Sequence, residues 1–319
     1  MVTKLNQRSN QPFSLKNWLR SLWAFARPHT IVGTSLSVGA LGVMALALSA
    51  STAWGTAVGL ILAALVPSLC ANVYIVGLNQ LTDIAIDRIN KPRLPLASGT
   101  FSVTMGRRIV GVLGALALIL SVVQGPILFA TVALSMAIGT VYSLPPLRLK
   151  RFPFWAALCI FGVRGLIVNL GFFAHFRNLF SGVSGQAIPA EVWALTSFVV
   201  LFAVAISLFK DIPDLEGDRQ FQVRTLTVRL GTRFVFKLSL WVLVLSYLLL
   251  IALALGGVLP SIHVGFLSIT HLGLLGLLLW RSRRVSLTAK SHIKQFYQFI
   301  WRLFFLEYIL FPIACILGS

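Results

Sequence analysis

The hydrophobic positions of this chain do not alternate with polar ones over short stretches. They form long apolar runs, parted by brief polar segments. Nine runs lie near the ~20 residues that carry a helix across the hydrocarbon of a bilayer. Only helices and closed barrels satisfy every backbone group there. The runs fall at 29–48, 56–78, 108–123, 126–143, 154–176, 192–209, 234–256, 261–280 and 299–317. The third is short, and Gly125-Pro126 predicts a tight turn into the fourth. The expected class is therefore all-α integral membrane: nine transmembrane helices, with two four-helix halves around a central cavity plus a ninth helix. Before the first run, Leu15, Trp18, Leu19, Leu22 and Phe25 share one side of a short helix, with Lys16 and Arg20 elsewhere. That pattern suits a helix lying in the membrane interface. The expected division is a basic cytoplasmic tail over 1–28 and a single transmembrane domain over 29–319.

Composition agrees with this picture. The chain is 57% hydrophobic and 11% charged, and its mean hydropathy is +0.89, which excludes an ordinary soluble domain. A net charge of +19 would suggest nucleic acid, but the placement of the basic residues argues against it. The N-terminal tail carries five, the loop after the second run five, that after the fourth three, and those after the sixth and eighth six each. These 25 of 27 fall on one side of a nine-span topology, so they read as an orientation signal with the N-terminus cytoplasmic. Of the others, Arg177 falls on the far side and Arg164 within a span. Cys70, Cys159 and Cys315 lie in apolar runs at unrelated spacings and read as small hydrophobes, with no disulfide framework. No cleaved signal is evident.

The polar positions are most informative where they are acidic. The chain has eight acidic residues, and all five aspartates fall in two segments: Asp83 and Asp87 within 79–87, and Asp211, Asp214 and Asp218 within 211–218. Both segments end an apolar run on the cytoplasmic side. On a helix Asn79, Asp83 and Asp87 share one face at i, i+4 and i+8, and Asp214 and Asp218 repeat the i, i+4 spacing. Asp211 is the irregular member, since Pro213 is expected to break the helix between it and Asp214. Glu216 reads as a solvated loop acid. Four spans separate the two segments, which points to an internal repeat, echoed by Val103–Val110 and Val228–Val235 after each segment. Two facing halves would bring the acids together across a cleft.

Such a set suits a hard divalent cation, and Mg2+ favours a few carboxylates together with substrate phosphates. A diphosphate between carboxylates needs cations to neutralise it. Candidate basic partners are Lys91 and Arg93 after the first segment, Arg148 and Lys150 in the Tyr142–Lys150 loop, and Arg224 after the second. A headgroup bound there, with apolar helices beneath it, implies a long hydrocarbon tail on the substrate. Two charges lie within the spans. Arg164 is ~15 Å deep and Glu307 ~12 Å, at the helical rise per residue. Either they pair and lock the fifth helix to the ninth, or Arg164 takes a substrate carboxylate. Asn169 and His175 are lining residues or plain helix contacts, and His29 is a weaker site candidate. His263, His271 and His292 have no evident partner. A cation-coupled transporter would place acids deep in the spans, whereas these aspartates sit at one face. A scaffold would have no use for five clustered aspartates.

Asn79-x3-Asp83-x3-Asp87 with Asp214-x3-Asp218, on nine helices, resembles the UbiA superfamily of intramembrane prenyltransferases over nearly the whole chain. Several strings are similar to its homogentisate prenyltransferase branch, the phytyl-transferring cyanobacterial members in particular. They include Arg27-Pro28-His29-Thr30, Val73–Leu81, Ile89-Asn90-Lys91-Pro92, Tyr142–Pro146, Val163-Arg164-Gly165 with Val168-Asn169, Lys210–Asp214 and Phe296–Trp301. The resemblance implies two Mg2+ ions held by Asn79, Asp83, Asp87, Asp214 and Asp218, with Asp211 nearby, bridging the diphosphate of phytyl diphosphate. Arg164, Asn169 and Tyr142 are then the acceptor-binding set, and homogentisate the acceptor. Ionisation of the donor gives an allylic cation, the aromatic ring attacks it, and the carboxylate leaves as CO2. The product, 2-methyl-6-phytylbenzoquinol, lies on the route to tocopherol. Solanesyl or geranylgeranyl donors, or another aromatic acceptor, are the alternatives. The implied membrane is thylakoid or plasma membrane. No nucleic acid and no obligate protein partner are expected beyond the lipid bilayer.

Overall fold

A computed structural model describes residues 14–49, 54–182, 187–220 and 225–319, without the side chains of 153, 217 and 218. Among the described residues the secondary structure is helical throughout. In order come α1 (Leu15–Phe25), α2 (Pro28–Ala47), α3 (Trp54–Thr82), α4 (Ile84–Asn90), α5 (Val103–Val123) and α6 (Pro126–Ser143). Next, α7 (Pro153–Phe161) runs through a π-helical turn at Gly162–Ile167 into α8 (Val168–Ser181). The second half holds α9 (Ala190–Phe209), α10 (Asp211–Gln220), α11 (Leu226–Leu230), α12 (Thr232–Leu255), α13 (Val264–Ser282) and α14 (Lys290–Gly318). Nine spans long and apolar enough to cross a membrane occur among the described residues, with α7 and α8 forming one of them. All nine predicted runs are present, and the third is a full-length helix from Val103.

The outward faces carry large apolar side chains such as Val112, Ile119, Trp241, Leu245 and Ile269, all exposed. Lipid is as apolar as they are, so close helix packing depends on small residues. A Cβ on Gly114 would stand 2.7 Å from the Tyr74 ring, and one on Gly139 would stand 2.7 Å from Ile75. These glycines let α5 and α6 close onto α3. The most extensive pairings are α3 with α5 and α9 with α12, equivalent places in the two four-helix halves. Phe198, Phe202 and Tyr247 form a contiguous aromatic cluster between α9 and α12, which Phe304 of α14 joins.

Four expectations need correction. The first acidic segment is not one continuous helix: α3 ends at Thr82, and Asp83 leaves the helical region at φ −118°, ψ 18° before α4 begins. Asn79 and Asp87 therefore sit on separate helices with Asp83 at the joint. Pro213 does not break the second segment, because it lies in the first turn of α10, where a helix needs no amide donor. Arg164 and Glu307 do not pair. Glu307 lies 3.1 Å from His271 Nε2 instead, with both side chains fully buried, so His271 has a partner after all. Lastly, α1 presents two apolar faces: Trp18, Leu22 and Phe25 pack inward, while Leu15, Leu19 and Trp23 stay exposed.

Candidate active site

The two acidic segments meet. Helix α4 packs on α10, and Lys91 Nζ donates to Asp214 Oδ2 at 2.8 Å, joining the segment after α3 to the segment after α9. The acids and cations interleave throughout. Lys150 Nζ lies 2.8 Å from Asp83 Oδ1, and it donates to Asn79 Oδ1 at 3.0 Å and to Thr82 Oγ1 at 2.7 Å. Arg148 Nη2 donates to the same Asp83 oxygen at 3.2 Å and to the Thr82 carbonyl at 3.1 Å. Arg27 Nη2 approaches Asp87 Oδ2 at 3.9 Å.

Local backbone geometry aims two of these arginines. Among the described residues, Arg27 (φ 52°) and Arg148 (φ 40°) are the non-glycine positions with positive φ. Such conformations are costly and persist where the surroundings impose them, often at functional sites. Arg27 is the joint between α1 and α2, and Gln80 Nε2 donates to the Phe25 carbonyl at 2.6 Å, anchoring that joint on α3.

Burial raises the Asp87 carboxyl above the usual carboxylate range, opposed by Arg27 and Lys91. Its Oδ2 is buried and accepts no hydrogen bond. A buried carboxylate oxygen without a donor is costly unless a cation meets it. Burial likewise lowers the Lys150 ammonium, opposed chiefly by Asp83. No group of three His, Cys, Asp or Glu side chains poised for a metal occurs among the described residues. The Asp87 oxygen, met by the Arg27 guanidinium only at 3.9 Å, and the side-chain oxygens of Asn79 and Asp83 in the same segment nevertheless offer the oxygen donors a hard cation takes.

Beneath the acids lies a cavity of about 310 Å3. Asn79, Arg27 and Tyr142 line its mouth, and Ser37, Ser68 and Thr131 lie deeper along their helices. Its hydroxyls fold back onto their own helices: Ser68 Oγ donates to Ala64 O, Thr131 Oγ1 to Ile127 O and Ser135 Oγ to Thr131 O, all within 2.6–2.7 Å. The wall these residues present is therefore small and largely apolar. Arg164 lines the cavity from the π-helical turn, its guanidinium 5.2 Å from the Trp301 ring and 5.7 Å from that of Phe304. Among the described residues no carboxylate pairs with it. A π-turn swings one residue out of register and recurs at functional positions.

Not every predicted site residue belongs. Arg93 is exposed and makes no ion pair with the described aspartates. Asn169 is sealed in the protein, its Oδ1 accepting from the Tyr308 hydroxyl at 2.8 Å, and does not line the cavity; Tyr308 does. His175 is buried among phenylalanines away from the lining. Asp211 begins α10 next to Lys210. The Asp218 side chain and all of Arg224 lie outside the described residues. Lys210, Tyr297 and Trp301 also line the cavity, which their sequence positions did not announce. A lysine at the very end of an apolar run was the signal available for Lys210; the two aromatics carried none.

Residues 35–303 match the model of the UbiA prenyltransferase family. The chain is 49% identical over 301 residues to a homogentisate phytyltransferase of Synechocystis, covering 93% of this chain and 96% of that protein. It is 41% identical over 296 residues to a chloroplastic homogentisate solanesyltransferase of Arabidopsis thaliana, covering 91% of this chain and 75% of that one. Among solved structures, a UbiA homologue from Archaeoglobus fulgidus bound to GPP and Mg2+ superposes with a TM-score of 0.60 at 17% identity, over 93% of this chain and 99% of that one. The family model spans most of the chain and the helical arrangement is shared, so this chain belongs to the UbiA family of intramembrane prenyltransferases.

Proposed function

We propose that this chain transfers the phytyl group of phytyl diphosphate to homogentisate in an Mg2+-dependent reaction with loss of CO2, giving 2-methyl-6-phytylbenzoquinol for tocopherol formation. The observation that carries the reading is an arginine without a carboxylate partner, Arg164, in an otherwise largely apolar cavity that opens beneath facing aspartates. An acceptor carrying both an aromatic ring and a carboxylate fits that arrangement. The 49% identity to the Synechocystis homogentisate phytyltransferase supports the same choice.

Asn79, Asp83, Asp87, Asp214 and Asp218 would hold Mg2+, with Asp211 adjacent. When bound, the metal neutralises the diphosphate and the departing pyrophosphate. The rest of the work falls to the chain. Lys91, Arg148 and Lys150, now resting on Asp214 and Asp83, move their charge to phosphate oxygens as the donor arrives. The bond from the allylic carbon to oxygen breaks, and pyrophosphate keeps the electron pair. Arg164 holds the acceptor carboxylate and Tyr142 its ring, so that the ring carbon meets the cation while apolar walls exclude water. The new C–C bond displaces a ring proton, and loss of the side-chain carboxylate as CO2 takes up one proton at the methylene, so the two balance. The aromatic faces of Trp301 and Phe304 flank this region. The tail over 1–28, the N-terminus and both acidic segments face the cytoplasm, and residues 29–319 form one domain in a thylakoid or plasma membrane.

The test offers homogentisate and a series of prenyl diphosphates to membranes containing the chain, with and without Mg2+. Phytylated product that requires Mg2+ is expected. Preference for solanesyl diphosphate would favour the second reading, which the 41% identity to the Arabidopsis solanesyltransferase keeps in play. No product from homogentisate with any donor would overturn both.

A further inference from the structure

A second hollow lies on the lipid-facing side of α6 and α8, a groove of about 490 Å3. Its lining is apolar except for Thr131, and Leu134 and Leu166 on its rim are exposed. Thr131 also lines the inner cavity. On the next element the division is equally sharp: Val168 and Phe172 face the cavity, while Ile167, Leu170 and Gly171 face the groove. Thr131, packed against Gly171, is the residue that the linings of the two spaces share. A Cβ on Gly171 would collide with Thr131 Oγ1, so the glycine is what lets the threonine close the gap.

The position of this wall matters. Along α6 the cavity face runs through Tyr142, Gly139, Ile138, Ser135, Val132 and Thr131, from the loop that carries Arg148 and Lys150 inward. Thr131 therefore lies about 18 Å along the helix from its Ser143 end. A diphosphate anchored at the acids sends its hydrocarbon down this face. The hydroxyl of Thr131 is already bonded within α6 at 2.7 Å, so the group it offers the tail is its methyl.

We propose that Thr131, seated on Gly171, is the end wall of the prenyl channel and sets donor chain length, and that the groove beyond it takes the distal units of a longer tail once the wall is opened. This rests on the diphosphate being bound at the facing aspartates. The occupant of the groove is the donor tail: it is continuous with the channel across one side chain, apolar, and open to lipid.

The experiment measures kcat/KM for geranyl, geranylgeranyl, phytyl and solanesyl diphosphates with protein in lipid nanodiscs. Thr131→Ala should raise the solanesyl-to-phytyl ratio by about tenfold or more, and Thr131→Phe should lower the phytyl-to-geranyl ratio similarly, the scale of discrimination a hydrophobic pocket gives for one small group. Thr131→Val, which keeps the methyl and puts a second one in place of the hydroxyl, should keep the wild-type ratios. Ratios within one preparation do not depend on the folded fraction. Unchanged ratios in both the Ala and Phe variants, with turnover retained, overturn the end wall and leave the prenyl-transfer reading standing. A donor with a photoreactive group at its far end needs no acceptor. It should label Leu134 or Leu170 in Thr131→Ala but not in wild type, and labelling that is the same in both contradicts the proposal even if homogentisate proves the wrong acceptor.

Discussion

Arg164 and Glu307 are both charges inside membrane spans, and the protein treats them in opposite ways. Glu307 on α14 is fully buried against His271 of α13, with carboxylate oxygens at 3.1 and 3.3 Å from Nε2, while Nδ1 faces the Leu267 carbonyl at 2.8 Å. Both ring nitrogens thus face acceptors. Every polar atom of that imidazole is engaged, and the pair does not line the cavity. Arg164 has aromatic faces on one side and the cavity on the other, with no described acid to neutralise it. Ionisable groups in a bilayer either pair or face a cavity, and these two residues illustrate the two cases. The difference teaches that depth and charge do not make two residues partners; what decides is whether an opposite charge is packed at the same place. One buried charge joins two helices through its partner, and the other faces the cavity.

Substitutions should separate these roles. The largest effect is expected from Glu307→Leu, which strands His271 and should cost about 3–5 kcal/mol of stability, read as a lower melting temperature in detergent with the homogentisate KM little changed. Replacing both partners, His271→Leu with Glu307→Leu, should recover most of that loss, because two apolar side chains leave no buried charge. A double variant as unstable as the single one would contradict a simple pair. Arg164→Ala should act the other way: the homogentisate KM rises by a factor worth about 1.5–3 kcal/mol, the range for a charge-assisted hydrogen bond, with the KM for phytyl diphosphate nearly constant. Equal increases for both substrates would mean that Arg164 supports the fold instead. Arg164→Lys should fall between, since an ammonium keeps the charge but loses the planar stacking on Trp301. The smallest effect is expected from Tyr308→Phe. It removes the hydroxyl that serves Asn169 and should cost about 1–3 kcal/mol of stability at most, with donor selectivity intact.

Much of this was legible in the sequence because membrane insertion and metal chemistry both leave coarse marks. Long apolar runs specify spans whatever their neighbours do, and five aspartates in two segments announce themselves in a chain so poor in acids. Lys91 was foreseeable as a neighbour because it follows the first segment, and Arg148 and Lys150 because the basic bookkeeping puts their loop on the same side of the spans. The pairing of His271 with Glu307 was not, since it joins residues on different helices whose spacing carries no periodic signal. Arg27 reaches Asp87 only because the chain turns at a left-handed residue between α1 and α2. The break at Asp83 was hidden for a related reason: i, i+4 spacing describes an unbroken helix, whereas the surrounding cations stabilise a joint there. Asn169 is the instructive miss. An amide in a span suggests a lining group, yet Asn169 is sealed within the protein, where its oxygen accepts from the Tyr308 hydroxyl of α14.

The central claim is that acids from both halves jointly hold a metal-bound diphosphate, and paired substitutions test it most directly. Initial rates with phytyl diphosphate and homogentisate would be followed against Mg2+ concentration for the wild type, Asp83→Asn and Asp214→Asn, each checked for an intact fold by its melting transition. The account predicts saturable Mg2+ dependence in the wild type and no measurable turnover in either variant. Turnover that persists in one variant at ordinary Mg2+, or that survives removal of divalent ions from the wild type, would contradict it.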